Sequence, residues 1–267
     1  FFTKTGIFNF KLFSKIINFD NPSMYEFLKV LNKKDHDNLH EISVICKYWI
    51  EAQNRLKIKD GDFTFFKTHS GNVKVDNNKY TNLDNTLGVI YVVRDPRDVV
   101  ISYSKHNRVS IDRTINDIMS KNCLTRTALP KKNPYPILMS SWDIHYKTWK
   151  NIDVPKILIK YENLLKDTNN IIQEIIKFFN KYYNIDFSNL EQKINNIIKT
   201  TNFDSFKKHE KKHGFNEAPY FYFKTGIAEY FFREGKSGQW KNILTKDQIK
   251  KIENEFKETM IELGYLE

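Results

Sequence analysis

Residues 88–102 of the chain read GVIYVVRDPRDVVIS. The apolar, β-branched run at 88–93 is typical of a strand that is buried on both faces in a parallel sheet. A helix start follows at once, because Asp95 is a good N-cap, Pro96 is favoured at the first helical position and Asp98 complements the helix dipole. The stretch therefore predicts a buried strand that leads directly into a helix.

The rest of the chain repeats this alternation of strands and helices. Short β-rich runs at 63–66 and 156–160 predict two more strands. Helical spacing of apolar residues predicts helices at 38–56, 96–105, 137–150, 169–182, 189–199 and 245–263. This alternation predicts a three-layer αβα fold of class α/β, with a parallel sheet flanked by helices. Because no internal repeat or linker interrupts the 267 residues, a single domain over 1–267 is the simpler interpretation.

The composition indicates a folded protein with anionic partners. Hydrophobic residues make up 40% and charged residues 28% of the chain, which excludes collagen-like and low-complexity classes. Lys and Arg number 43 against 32 Asp and Glu, so the formal net charge is +11. This balance favours nucleotides, phosphate or sulfate esters, nucleic acid or acidic membranes, and charge alone does not choose among them.

The cysteines and the first residues bear on the compartment. Cys46 and Cys123 lie far apart, without a C-x-x-C pair or a zinc spacing, so a reduced, cytoplasmic setting is expected. No apolar run reaches the roughly 20 residues that cross a bilayer, and the first residues lack a secretory signal. Because the chain opens on the apolar pair Phe1 and Phe2, we expect that it begins inside an element.

Ligands of a parallel sheet bind outside the carboxyl ends of its strands, so the residues after each strand are candidates. Lys67, Thr68 and His69 follow the first strand. There, a histidine can take a proton from an attacking hydroxyl and a lysine can offset negative charge, although a solvated loop is the alternative. Tyr161 follows the third strand and could stack on a base, with Glu162 orienting its neighbours.

Two basic segments are candidates for binding a phosphate. Arg94 ends the central strand beside the backbone donors of a helix N-terminus, a place that suits a phosphate or, equally, a structural ion pair with a nearby aspartate. The late loop, FREGKSGQWK at 232–241, carries two glycines and three cations before a capped helix at Thr245. Glycines let the backbone approach an anion closely, and Arg233 can form a bidentate contact.

Two short motifs are set aside. GKS at 235–237 matches the end of a Walker A loop, but Tyr230 stands where that motif needs a glycine and no strand precedes it. HEKKH at 209–213 matches a zinc metalloprotease pattern, but it lies in a polar run, ends at Gly214 and lacks a clearly placed third ligand, with Glu229 left open. We therefore expect no metal site.

Four segments, taken together and in order, resemble the sulfotransferases. They are the Lys-Thr-His run at 67–69, Arg94 with Ser102 eight residues later, the Tyr-Glu-Asn run at 161–163, and the late loop extended to Asn242. Sulfotransferases use 3′-phosphoadenosine 5′-phosphosulfate (PAPS) as donor. Their fold is a parallel sheet with helices on both faces, related to P-loop kinases, so the resemblance implies the P-loop NTPase-like form of the predicted fold.

The resemblance also implies a site for the phosphate of the donor. Arg94 and Ser102 would hold the 3′-phosphate together with Arg233 and Gly235 of the late loop. Glu234 stands between these last two, where the family usually has a cation, so one phosphate contact is lost.

Further matches concern the adenine and the reaction. Tyr161, Thr201 and Phe203 match positions that surround the adenine. His69 matches the general base that removes the proton of the acceptor hydroxyl or amine, and Lys67 matches a lysine near the transferred sulfuryl group. This chemistry is mostly positioning plus neutralisation of spread negative charge.

The chain departs from the family in two further places. Nothing in it matches the Pro-Lys-Ser-Gly-Thr-Thr-Trp-type loop that binds the 5′-phosphosulfate, since TKTG at 3–6 is too short and lacks a preceding strand. We therefore expect that the N-terminal strand, loop and helix are missing and that a protein of only these residues is inactive. In the dimer motif K-x-x-x-T-V-x-x-x-E, Lys241 and Thr245 match, but Lys246 and Lys250 replace Val and Glu.

The sequence thus predicts a cytoplasmic sulfotransferase that moves a sulfuryl group from PAPS to a hydroxyl or amine of a small-molecule or carbohydrate acceptor. No metal, nucleic acid or transmembrane segment is expected, and a homodimer stays open. A kinase-like P-loop phosphotransferase that uses ATP is the first rival. The second rival is a nonenzymatic protein, either a nucleotide-binding relic or a basic nucleic-acid binder, which the scattered basic residues disfavour. The acceptor is expected to contact the loops after His69 and the segments 107–136 and 213–230.

Overall fold

The structure is a computed structural model that describes residues 3–13, 17–18, 29–56, 64–126, 136–215 and 230–267. Within these ranges the strands are β1 (Ile17–Asn18), β2 (Phe66–Lys67), β3 (Lys74–Val75), β4 (Asn78–Lys79), β5 (Val89–Val93), β6 (Leu124–Arg126), β7 (Pro136–Leu138) and β8 (Lys156–Lys160). The α-helices are α1 (Phe10–Phe13), α2 (Ile42–Ile45), α3 (Trp49–Asn54), α4 (Pro96–Asn107), α5 (Ile111–Met119), α6 (Trp142–Lys150), α7 (Tyr161–Lys166), α8 (Thr168–Tyr183), α9 (Leu190–Thr200), α10 (Phe203–His213), α11 (Trp240–Ile243) and α12 (Lys246–Glu262).

Strand β5 and helix α4 confirm the prediction made from residues 88–102. The helix follows the strand after two residues, with Pro96 in its first turn. Asp95 is the N-cap, and its side chain accepts a hydrogen bond from the backbone N–H of Arg97 at 2.9 Å. This cap satisfies one of the backbone donors that a helix start leaves unpaired.

Burial of β5 on both faces was also predicted, and this expectation is wrong. Val89 and Tyr91 pack against an apolar cluster, whereas Ile90 is 39% and Val92 is 56% exposed. The strand alternates between a buried and an exposed face because its side chains point to opposite sides of the sheet. A continuous apolar run does not by itself show that both faces are covered.

The described contacts divide the chain into two compact units. The first unit takes its described residues from Phe1–Lys15, Val92–Thr114 and Ile157–Ile252, and the second from Ile16–Tyr91, Ile115–Lys156 and Glu253–Glu267. Strands β5 and β8 are paired in one two-stranded sheet. The single domain over 1–267 stays a prediction.

The second unit is built around an apolar cluster and three strand pairs. β1 pairs in parallel with β2, while β3 with β4 and β6 with β7 are antiparallel. The cluster consists of Leu31, Leu39, Val44, Ile45, Cys46, Tyr48, Trp49, Ala52, Tyr80, Trp149 and Ile152. Five of these eleven residues lie in helices α2, α3 and α6, and the others come from the segments between elements and from a 3-10 turn.

The helix predicted at 38–56 is divided in the structure. α2 and α3 are joined by a 3-10 turn at Cys46–Tyr48, and residues before Ile42 lie outside α2. The predicted apolar face is nevertheless buried, with Ile45 2% and Trp49 4% exposed. The β-branched residues of α2 have low helix propensity, so packing rather than an unbroken helix fixes this segment.

The helix predicted at 137–150 begins later, at Trp142. Pro136–Leu138 form β7, which pairs with β6, and Ser140 adopts a left-handed conformation with φ of +61° before the helix. Because a short apolar run fits either a strand or a helix, its period could not separate the two. The strand predicted at 63–66 appears as β2 at Phe66–Lys67, and Phe63 lies outside the described residues.

The other predicted elements agree with the structure to within two residues. The strand at 156–160 is β8, and the helices at 96–105, 169–182, 189–199 and 245–263 are α4, α8, α9 and α12. Thr245 caps α12 as predicted. Its N–H donates to the side-chain oxygen of Gln248 at 3.0 Å, and the N–H of Gln248 donates back to the Thr245 hydroxyl at 3.2 Å, which forms a capping box.

In the first unit, the segment 3–13 lies on helices α9 and α10. Residues 3–6 form a turn in which the N–H of Gly6 donates to the carbonyl of Thr3 at 2.9 Å. The N–H of Phe8 donates to the hydroxyl of Thr200 at 3.0 Å, and the Phe10 ring stacks on His209 with centroids 3.3 Å apart. TKTG therefore belongs to a docked turn, and Phe1 and Phe2 lie outside the described residues.

Candidate functional site

Arg94 lies between the late loop and an aromatic ring, all within the first unit. Its Nη2 donates to the backbone carbonyl of Lys236 at 2.8 Å, and its guanidinium carbon lies 4.7 Å from the ring centroid of Tyr161. Its Nε is buried and has no hydrogen-bond partner among the described residues. An unsatisfied donor on a charged group is costly to bury, so the Arg94 side chain is suited to donate to a bound anion.

Asp98 connects helix α4 to the late loop. It is 1% exposed, and its two carboxylate oxygens accept the backbone N–H groups of Gly238 at 2.6 Å and Trp240 at 3.1 Å. Arg94 approaches the same carboxylate only to 3.8 Å. The ion pair that the sequence left open for Arg94 is therefore secondary, because the stronger partners of Asp98 are backbone donors.

Arg97, in the first turn of α4, completes this connection, although no sequence motif singled it out. It pairs with Asp95 through three contacts, Nε to Oδ1 at 2.9 Å, Nε to Oδ2 at 3.2 Å and Nη2 to Oδ2 at 2.7 Å. Its guanidinium carbon also lies 3.8 Å from the ring centroid of Trp240. A bidentate, stacked and buried arginine holds the end of the late loop against the helix start. The only sequence signal for this role of Arg97 is that residues 94–98, RDPRD, contain two Arg-Asp pairs.

Arg233 and Ser102 are brought together. The Nη2 of Arg233 donates to the backbone carbonyl of Ser102 at 3.1 Å, and its Nη1 lies 3.4 Å from the carbonyl of Tyr230. The Ser102 side chain is half-buried on α4. The two residues that the resemblance assigns to one phosphate are thus in direct contact.

Gly235 lies directly against Phe203. Its φ is +61°, and a Cβ added to it would lie 2.6 Å from the Phe203 ring, a distance that real Cβ atoms essentially never show. The glycine is therefore required both by its backbone conformation and by the close approach of the ring.

The two remaining residues proposed to bind the nucleotide lie close to Gly235 and Phe203 in the sequence. Glu234 precedes Gly235 and is exposed. The Thr201 hydroxyl, at the end of α9, donates to the carbonyl of Ile197 at 2.7 Å.

The HEKKH motif has a structural role. The carboxylate of Glu210 is buried and accepts the backbone N–H groups of Phe231 and Phe232, the second at 2.9 Å. His209 stacks on Phe10, and burial lowers the pKa of its imidazole. Within the described ranges, no three His, Cys, Asp or Glu side chains are grouped closely enough to hold a metal ion. Glu210 thus orients the start of the late loop.

The two candidate catalytic residues belong to the second unit. Lys67 ends β2, and His69 follows it as an exposed residue, whereas the next residue of the loop, Ser70, is buried. The hydroxyls of Thr68 and Tyr80 are hydrogen-bonded to each other beneath this loop. The loop itself contacts α6, where His145 lies 3.3 Å from the carbonyl of His69.

His145 is an electrostatically distinct residue of this region. Burial lowers the pKa of its imidazole from 6.5 to about 4, against the opposing effect of hydrogen bonds to the carbonyls of His69 and Ser70. Its Nδ1 lies 2.8 Å from the hydroxyl of Tyr91, and burial raises the pKa of that hydroxyl. The pair is therefore neutral at physiological pH.

Residues 7–264 match the family described as the sulfotransferase domain. The chain belongs to the sulfotransferase family. Among curated relatives, it is 26% identical to a 3-alpha-hydroxysteroid sulfotransferase of Cavia porcellus over 178 residues and 27% identical to sulfotransferase 2A1 of Homo sapiens over 183 residues. These matches cover 64% and 66% of this chain.

This sulfotransferase chain spans 55% and 57% of the length of those two relatives. Two solved structures share its fold. Retinol dehydratase in a complex with retinol and PAP gives a TM-score of 0.54 at 22% identity, covering 78% of this chain and 57% of that one. Mouse sulfotransferase SULT7A1 complexed with PAP gives 0.53 at 19% identity, covering 82% and 70%.

The predicted fold class is confirmed by this likeness. None of the helices in the described part of the chain combines the length and the apolar character that a membrane span requires.

The Asp98 contacts lead to a stability prediction. Asp98→Asn replaces one acceptor oxygen by an amide NH2, which cannot accept from a backbone N–H, so we expect a loss of about 1–3 kcal/mol in the free energy of unfolding. Urea unfolding measures this loss, and limited proteolysis reports on the late loop. The matched control is Asp204→Asn, in the first turn of α10 and exposed, where a change of about 0.5 kcal/mol is expected. Equal effects of the two substitutions would contradict the assigned role of Asp98.

His145 leads to a prediction on pH. Because its folded pKa lies below 6.5, the unfolded chain takes up this proton first as the pH falls. The contribution of neutral His145 to the free energy of unfolding is therefore complete above about pH 7. It decreases as the pH falls from about 6.5 to about 4 and is constant below that. At pH 5 it is about 2 kcal/mol smaller than at neutral pH. We expect the stability difference between wild type and His145→Gln in urea unfolding to shrink by this amount from pH 7.5 to 5. An unchanged difference would show that His145 is not held neutral.

Proposed function

We propose that the protein is a PAPS-dependent sulfotransferase that transfers a sulfuryl group to a hydroxyl or amine. The observation that carries the proposal is the placement of the late loop. It joins Arg233 to Ser102, Gly235 to Phe203, and the carbonyl of Lys236 to Arg94. Family membership favours this function over the ATP-dependent phosphotransferase and the nonenzymatic binder.

We assign the 3′-phosphate of the donor to Arg94, Ser102, Arg233 and Gly235. The residues fit such a group, because Arg94 keeps one buried N–H without a partner among the described residues and Gly235 lets the backbone approach closely. Guanidinium groups form the charge-assisted contacts that phosphates prefer. Glu234 adds an exposed carboxylate here, so we infer that this chain holds the phosphate with less positive charge than its relatives.

We assign the adenine to Tyr161, Phe203 and Thr201. Tyr161 already stacks under the guanidinium of Arg94, and Phe203 touches Gly235, so both rings border the proposed phosphate position. Aromatic rings stack on a purine without needing its hydrogen-bonding edge. The hydroxyl and the backbone N–H of Thr201 both donate to the carbonyl of Ile197, which leaves its methyl group for this role.

His69 and Lys67 are the proposed catalytic residues. The donor, when bound, supplies the sulfuryl group. His69 would take the proton from the acceptor hydroxyl as its oxygen forms a bond to sulfur, and the bond from sulfur to the 5′-phosphate oxygen would break to release 3′,5′-adenosine bisphosphate. Lys67 would offset the negative charge that spreads over the transferred group.

The acceptor is proposed by class only. Solved relatives are complexes with retinol and with androsterone, and curated relatives act on hydroxysteroids by name. We propose a small-molecule or carbohydrate acceptor, and the segments expected to contact it fall partly outside the described residues. A cytoplasmic location, a single domain over 1–267, the absence of a metal and of a nucleic-acid partner, and a possible homodimer remain parts of this proposal.

Titration calorimetry with 3′,5′-adenosine bisphosphate, ADP and AMP tests the nucleotide site. We expect the bisphosphate to bind at least ten-fold more tightly than ADP, and Arg94→Ala to weaken it by about 2 kcal/mol because a charged contact is lost. The control is Arg55→Ala, which removes an exposed arginine paired with Glu51 and should leave binding unchanged. Equal affinities for the three nucleotides would contradict the proposed phosphate site.

His69→Ala tests the reaction separately. Because the chain alone is expected to be inactive, the substitution is made with the family's 5′-phosphosulfate-binding loop restored at the N-terminus. We then expect the rate of sulfuryl transfer from PAPS to 2-naphthol to fall by about 10²–10⁴-fold, the usual worth of a general base. Affinity for the bisphosphate should stay within two-fold of wild type. His40→Ala, at an exposed histidine of the same unit, serves as the control. A variant that keeps the wild-type rate would remove His69 from the mechanism.

A further inference from the structure

Helix α6 holds the loop of His69 through two side-chain donors. Nε2 of His145 lies 3.3 Å from the carbonyl oxygen of His69, and the indole N–H of Trp149 donates to the carbonyl of Ser70 at 2.9 Å. His145 and Trp149 are four residues apart, so they project from the same face of α6, one turn from each other. One helix face thus meets two consecutive carbonyls of the loop.

The next residues of the loop are held by the same region. The N–H of Gly71 donates to the carbonyl of Leu138 at 2.9 Å, and the side-chain amide of Asn72 lies 3.5 Å from the carbonyl of Thr148. A Cβ at Gly71 would meet the carbonyl of Met139 at 3.3 Å. Because four successive residues are contacted, the backbone of this loop has little freedom on the side of α6.

The hydrogen bonds fix the tautomer of His145. A carbonyl oxygen can only accept, so Nε2 must carry the proton that points to His69. Nδ1 is then a lone pair, and it accepts from the hydroxyl of Tyr91 at 2.8 Å. The lowered pKa of His145 agrees with this neutral form. Tyr91 therefore acts on the contact to His69 through the imidazole between them.

We propose that His145 is the positioning residue for His69. Assisted by Trp149 and Tyr91, it fixes the peptide unit from which the exposed imidazole of His69 projects. The proposal rests on the proposed role of His69 as general base, and it adds a residue that the sequence analysis did not single out. A base must lie within hydrogen-bond reach of the proton it takes, and a displacement of about 1 Å can cost about 10²-fold in rate.

Three substitutions of the full chain test the proposal. His145→Ala removes both hydrogen bonds, and His145→Gln keeps an amide donor that reaches the position of Nε2. Tyr91→Phe removes only the hydroxyl, so it tests the tautomer even if the alanine variant does not fold. His40→Ala is the control at an exposed histidine.

Hydrogen exchange of the amides at 69–72, followed by mass spectrometry, is the structural readout. We expect at least ten-fold faster exchange in His145→Ala, and near wild-type exchange in His145→Gln. The kinetic readout is sulfuryl transfer from PAPS to 2-naphthol, measured with the same substitutions in a chain to which the family's 5′-phosphosulfate-binding loop has been restored. We expect kcat to fall about ten- to hundred-fold in His145→Ala and two- to ten-fold in Tyr91→Phe, with KM for PAPS within two-fold and partial recovery in His145→Gln.

The outcomes separate this proposal from the proposed function. Unchanged exchange in His145→Ala and Tyr91→Phe, or a glutamine variant as impaired as the alanine variant, would overturn the positioning role. Activity that survives His69→Ala would overturn the role of His69 as base, and with it the catalytic part of the inference, whereas the exchange data would still report on the contact. Loss of activity in His69→Ala together with wild-type kinetics in His145→Ala would overturn the inference alone.

Discussion

The buried carboxylate of Asp98 fixes the late loop, and the arrangement of the candidate nucleotide site depends on it. Its two oxygens accept backbone N–H groups of Gly238 and Trp240, so a charge at 1% exposure is satisfied without a dedicated basic side chain. A carboxylate in the first turn of a helix is also stabilised by the helix dipole. Helix start and loop are therefore joined by one side chain. Arg233 lies in the loop that is fixed in this way, and Arg94, just after β5, contacts it through the carbonyl of Lys236.

Local chemistry explains how much of the fold could be predicted. The cap at Asp95, the proline after it and the apolar run before it act within a few residues, so β5 and α4 follow from the sequence alone. The same holds for the capping box at Thr245. The divided helix at 38–56 and the strand β7 could not be predicted in this way, because packing against distant segments decides between states that have similar local preference.

The candidate site could likewise be predicted only where local residues carry the chemistry. Arg94 and Arg233 could be selected as phosphate ligands because their residue type and place carry the chemistry. For Asp98 the sequence indicated an effect on the helix dipole and an ion pair with Arg94, but not its backbone partners, which are 140 and 142 residues further along the chain. Glu210 lies in HEKKH, which matches a zinc-binding motif, yet its carboxylate accepts the backbone N–H groups of Phe231 and Phe232. Long-range contacts to backbone groups leave no pattern in a single sequence.

The contact between Gly235 and Phe203 has a consequence for how this site can vary. A side chain at 235 can be accommodated only if the ring moves, so the effect of a substitution there depends on which residue occupies 203. The changes in stability caused by substitutions at 203 and 235 are then not additive. Gly235 borders the proposed 3′-phosphate position, and Phe203 borders the proposed adenine position. The residues that contact these two parts of the nucleotide would therefore be constrained to evolve together, by paired rather than independent replacements.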